Sequence, residues 1–107
     1  MFSRVVELKS KPGKSQELSN AINEKALPIL KRQNGFVEVI VLISNAEPDR
    51  VLTLSLWRSR EDAERFHREQ YQNVGETLRS LLATEPSIRT FDVHASSGLK
   101  AVAGRAA

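Results

Sequence analysis

The chain has 107 residues, 40% of them hydrophobic and 27% charged, with a formal net charge of +3 and no cysteine. One domain of this size buries roughly two thirds of its unfolded surface, enough for a single core. Without cysteine there are no disulfides or thiolate metal sites; no apolar run approaches the ~20 residues of a membrane span; and the mild charge gives no nucleic-acid footprint.

The opening MFSRVVELKS carries charges within its apolar pattern and has no signal-peptide core, so a cytoplasmic protein is expected. Residues 2 to 10 alternate as a strand should, with Phe2, Arg4, Val6 and Leu8 on one side and Ser3, Val5, Glu7 and Lys9 on the other. Lys11-Pro12-Gly13-Lys14 breaks the strand. From Ser15 the positions Leu18, Ile22, Ala26, Ile29 and Leu30 follow helical spacing up to Asn34-Gly35, a good stop signal. Pro28, late in that helix and without an N–H, predicts a kink or an early end.

The run FVEVIVLI, residues 36 to 43, predicts a strand buried on both faces. After a turn over Asn45 to Asp49, Val51 to Trp57 forms a third strand with Leu52, Leu54 and Leu56 on one face. Val51, Thr53, Ser55 and Trp57 occupy the other, which is mostly small. Ser59 with Asp62 three positions on reads as a capping box opening a helix whose inner face holds Ala63, Phe66, His67 and Gln70. A shorter helical turn runs through Leu78, Leu81 and Leu82, and IRTFDVHA supplies the last strand. Residues 96 to 107 form a Gly/Ala-rich tail beyond a domain of residues 1 to 95.

The order βαββαβ is the ferredoxin-like arrangement of an α+β protein. Helices cover one face of such a sheet, and the other must meet water or another surface. Neither face here is polar enough for water. A second copy of the sheet solves this, so a homodimer through the sheet face is expected.

Several motifs fail on inspection. Gly13-Lys14-Ser15 resembles the end of a phosphate loop, but the glycine required five residues earlier is Leu8. His67 and His94 have no acidic partner at ligand spacing, so no metal is expected. An RNA-binding sheet needs exposed aromatics, which VLTLSLW and MFSRVVELK do not offer. The run RSREDAERFHRE alternates in sign as a solvated helix face does, with Glu64 and Arg68 at i,i+4.

Two blocks, LPILKRQNGFVEVIVL and LTLSLWRSREDAERFH, with the closing EPSIRTFDV, resemble the antibiotic biosynthesis monooxygenase family over residues 2 to 95. The resemblance implies a dimeric α/β barrel. It also implies a choice among cofactor-free oxygenases that convert phenolic or hydroquinone-like substrates to quinones, a haem-degrading branch, and members without an assigned reaction. The haem branch's asparagine, tryptophan and histidine positions fall here on Val6, Phe66 and Glu76, so haem degradation is not expected. The quinone branch's tryptophan, asparagine and tyrosine positions hold Trp57, Thr53 and Ala63, of which only the tryptophan matches.

Oxygenation without metal or flavin needs a base to form the substrate anion and an enclosed apolar pocket. His67 is the candidate base, because burial would favour its neutral, proton-accepting form. Thr53 and Ser55 leave space, Trp57 and Phe66 could flank a planar aromatic substrate, and Tyr71, one turn beyond His67, could orient it. Each also has a structural reading: Trp57 as filler of the strand–helix junction, His67 as a solvated helix edge, Tyr71 as a cap on the core. Glu38, in an otherwise apolar strand, requires a partner, and Arg4 is the expected one. His94 shares a strand face with Asp92 and Thr90 and reads as a polar edge. The other class of function left open is a non-catalytic dimeric barrel that binds a small apolar ligand.

Overall fold

The computed structural model describes residues 1–97; all but the first two residues of the expected tail lie outside them. In chain order the elements are β1 (Phe2–Lys9), α1 (Ser15–Ala21), a π segment (Ile22–Ala26), α2 (Leu27–Lys31), β2 (Phe36–Ile43) and β3 (Arg50–Trp57). Then come α3 (Arg60–Glu69), α4 (Tyr71–Leu78), a short 3-10 turn (Arg79–Leu81) and β4 (Ser87–Asp92). The strands form one antiparallel sheet in the order β2-β3-β1-β4, the ferredoxin-like topology expected. No helix among the described residues is long and apolar enough to cross a membrane.

Register decides which side chains meet. Phe2 lies opposite Trp57, Arg4 opposite Ser55 and Leu8 opposite Val51, while on the other side of β1 Arg4 lies opposite Thr90. Directly opposed residues point to the same face, so the alternating set beginning at Phe2 joins the small face of β3 under the helices. Two core clusters fill that layer. One gathers Leu8, Leu18, Ile22, Ala26, Val51 and Leu78; the other gathers Phe2, Leu30, Trp57, Ala63 and Phe66.

Local chemistry fixes the helix ends. Ser59 Oγ accepts from the Asp62 backbone N–H at 3.2 Å and donates to Asp62 Oδ2 at 3.0 Å, capping α3 as its sequence predicts. Gly35 has φ +85, and a Cβ added there would collide with the Asp62 side chain. Helix stop and helix start therefore share one tight contact. Pro28 does not end the helix, which continues to Lys31. The preceding turn widens instead, with the Leu27 N–H reaching back to the Ile22 carbonyl, and this leaves Pro28 in the first turn of α2, where a missing N–H costs little.

Three expectations need correction. β2 is not buried on both faces: Ile40 and Leu42 are 40% and 47% exposed because helices cover only one side of the sheet, and Ile43, on the covered side, is 40% exposed at the end of this edge strand. Glu38 does not pair with Arg4. It lies opposite Leu56, beside a β-bulge and on the face away from the helices, whereas Arg4 lies beneath them. The last strand is Ser87–Asp92, so His94 falls beyond its end and is exposed.

Candidate active site

Arg4 sits at the centre of the helix-covered face beside α3, and is only 4% exposed. Its Nη2 atom lies 3.1 Å from Nδ1 of His67. Its guanidinium carbon lies 5.2 Å from the Phe66 ring centre and 5.3 Å from that of Tyr71. The His67 and Tyr71 rings stack at 4.8 Å with planes 22° apart. Helical spacing produces this group: Phe66 and His67 adjoin at the end of α3, and Tyr71 opens α4 after the chain leaves helical geometry at Gln70. Among the described residues no carboxylate forms an ion pair with Arg4.

The electrostatics follow from this packing. A guanidinium only donates, so Nδ1 of His67 is the acceptor and the neutral ring carries its proton on Nε2. Burial, helped by the Arg4 charge, lowers the His67 pKa from its ordinary value and favours that neutral ring. Burial raises the Tyr71 pKa, Arg4 partly opposes it, and Glu85 adds to it. Tyr71 is thus a hydroxyl donor at neutral pH. Burial also lowers the Arg4 pKa, with the opposing influence of Tyr71, yet a guanidinium stays charged.

Two clefts meet at His67. One, of about 420 Å³, lies between α3 and strands β1 and β4, with Phe2, Ala63 and Ile88 as apolar wall and Arg4, His67 and Thr90 as polar groups. Arg60, Glu64 and Arg68 form its rim. The other, of about 740 Å³, runs along α4 past Tyr71, Gln72 and Gly75 to Pro86. Both volumes suit a small molecule.

The remaining candidates from the sequence sit elsewhere. Trp57 has no exposed surface; Phe36 meets it edge-on at 5.6 Å and Phe66 lies at 5.1 Å. Its Nε1 donates to Ser55 Oγ at 3.0 Å, and that hydroxyl donates in turn to the Arg4 carbonyl at 3.4 Å. Thr53 is half-buried mid-strand. None of Thr53, Ser55, Trp57 and Phe66 lines either cleft, whereas His67 lines both and Tyr71 the larger. Arg4 is the polar group the sequence reading did not place here. The signal was present, since Arg4 is the one charge on the strand face it shares with Phe2, Val6 and Leu8.

Fold and cleft together define a ferredoxin-like α+β protein with a small-molecule-sized site on its helix-covered side. The family model for antibiotic biosynthesis monooxygenase matches residues 1–77, and the chain belongs to that family. No curated protein matches the chain significantly. Among solved structures, a Bordetella bronchiseptica protein bearing the same family description is similar at 16% identity, covering 88% of this chain and 97% of that one, with a TM-score of 0.78. A Streptomyces coelicolor monooxygenase from the gene ActVA-Orf6, in complex with nanaomycin D, is 18% identical over 90% of this chain and 89% of that one, TM-score 0.77. A variant of SnoaB, a cofactor-independent oxygenase from Streptomyces nogalater, is 15% identical over 92% and 97%, TM-score 0.73. At these identities the likeness is one of fold.

Proposed function

We propose that this protein is a cofactor-independent monooxygenase acting on a small aromatic, phenolic or quinol-like substrate. The observation that carries the reading is the half-apolar cleft at His67, in a chain of the monooxygenase family. A phenol and dioxygen give a quinone and water: one oxygen atom becomes the new carbonyl, and the other leaves with the ring hydrogen and the hydroxyl hydrogen. The substrate itself supplies the electrons. What the protein must supply is an anion-forming, water-poor pocket.

In this proposal His67 takes the hydroxyl proton. Its Nδ1 lone pair accepts from Arg4 in the resting site, so a substrate hydroxyl reaches it by displacing that Arg4 N–H from the imidazole. Tyr71 donates from the adjoining cleft and orients the ring. Trp57, Phe66, Ser55 and Thr53 support the site from beneath rather than touch the substrate. The working form is a symmetric pair joined through the bare sheet faces, supported by the exposure of Ile40, Leu42 and Phe91 on that side. The cysteine-free composition suits the reducing cytoplasm.

A second reading has its own observation. The space around Trp57 is filled by Phe36, Phe66 and Leu30, and His67 lies exposed at the cleft mouth, as a ligand-binding barrel without catalysis would allow. Oxygen uptake by the metal-free protein over dihydroxynaphthalenes, anthrones and reduced quinones separates the two. Uptake above the protein-free rate that His67→Ala abolishes supports the oxygenase and its base. Uptake unchanged in His67→Ala removes His67 from that role, and none across the panel supports the binding reading.

A further inference from the structure

We propose that Arg4 holds the substrate as an oxyanion, which makes the substrate class an acidic phenol bound as its phenolate. The assignment rests on the oxygenase reading above and narrows it. A guanidinium that is 4% exposed and has no carboxylate in ion-pair contact is an uncommon arrangement, since a buried charge ordinarily comes with its counterion. Its neighbours do not supply the missing charge. His67 is held as a neutral acceptor, and Tyr71 remains a protonated phenol. Two aromatic rings near its charge offset part of the desolvation cost.

The surroundings specify what completes the site. Arg4 opens into the cleft of about 420 Å³, whose rim adds Arg60 and Arg68. The rim carboxylate, Glu64, faces Arg60 at 3.7 Å. The cleft is therefore net cationic, and its occupant is anionic. Phe2, Ala63 and Ile88 give the same cleft apolar lining, with the Arg60 guanidinium carbon 5.5 Å from the Phe2 ring centre, which suits a ring rather than a small inorganic anion. With five N–H donors and one committed to His67, Arg4 has donors left for a phenolate oxygen. Thr90, opposite Arg4 on β4, offers one more hydroxyl.

The probe is 4-nitro-1-naphthol, whose absorbance separates phenol from phenolate, titrated with pH in the presence and absence of the full chain. Its uncharged methyl ether serves as comparator. The bound probe is expected to ionise about one pH unit or more below the free probe, equivalent to roughly tenfold tighter binding of the phenolate. Arg4→Met should abolish the shift and Arg4→Lys should keep part of it. An unshifted or raised ionisation in the unmodified protein, a methyl ether that binds as tightly as the phenolate, or a folded Arg4→Met that retains the full shift would each overturn the assignment. The unmodified protein decides the matter even if Arg4→Met does not fold. A lowered ionisation without oxygen uptake across the substrate panel upholds the anion site and removes only the oxygenase reading. Uptake with an unshifted probe does the reverse.

Discussion

Nη2 of Arg4 on β1 lies 3.1 Å from Nδ1 of His67 on α3, so a buried cation fixes the tautomer of a histidine 63 residues away. The pairing holds only while the imidazole is neutral. Because the folded pKa of His67 lies below its unfolded value, the folded state holds fewer protons there than the unfolded state. The stability this contributes is present above the ordinary histidine value of about 6.5 and is lost as pH falls through the lowered folded value. Thermal melts from about pH 7 down to about pH 5 should show a falling midpoint, with a shallower fall in His67→Gln. Identical slopes in the two proteins would show that His67 is not the group responsible.

Trp57 is the single tryptophan, fully buried, with its Nε1 bonded to Ser55 Oγ. Trp57→Phe keeps much of the apolar volume but leaves that hydroxyl without its donor. A loss of about 1–3 kcal/mol in urea-unfolding stability is expected. A loss near zero would mean that this indole hydrogen bond, between two residues of β3, adds nothing to stability.

Gly35→Ala tests the joint between the first helix and α3. The new methyl group meets the Asp62 side chain at a backbone angle that disfavours any side chain, and that carboxylate also accepts from the capping Ser59 hydroxyl and from Arg65, each at 3.0 Å. The cost is expected to be about 1–3 kcal/mol, read by the same unfolding experiment. A variant as stable as the parent would show that the turn relaxes freely.

The proposed symmetric pair predicts that charge on the bare sheet face separates the subunits. Ile40→Asp combined with Leu42→Asp changes two exposed side chains whose replacement leaves the helix-side core alone. Sedimentation should show a dimer for the parent and a monomer for the double variant. A parent that sediments as a monomer removes the sheet-face pairing from the proposal.

Much of the fold was legible because its signals are local. Alternation from Phe2 to Lys9 gives β1, and Ser59 with Asp62 gives the start of α3. The π segment left no mark, since widening a turn by one residue changes no propensity that can be read from Ile22 to Ala26. The site was harder for a related reason. Periodicity puts Trp57 under the helices, but whether Phe36 and Phe66 close on it or leave a gap depends on packing across the whole layer. His67 and Tyr71 were placed together by one helical turn, and Arg4 came to them only through tertiary contact.

The exposed run of β2 also bears on the chain before it finds a partner. FVEVIVLI lies along an open sheet edge, rich in β-branched residues and without proline, the composition from which cross-β stacking grows. Its one charge, Glu38, stands next to the bulge between Phe36 and Glu38, where the strand is bent away from a flat template. Glu38 therefore reads as a gatekeeper against runaway edge-to-edge pairing. Glu38→Val should leave the subunit folded yet turn concentrated solutions towards thioflavin-binding fibrils, and a variant that stays clear would show that the bulge alone guards this edge.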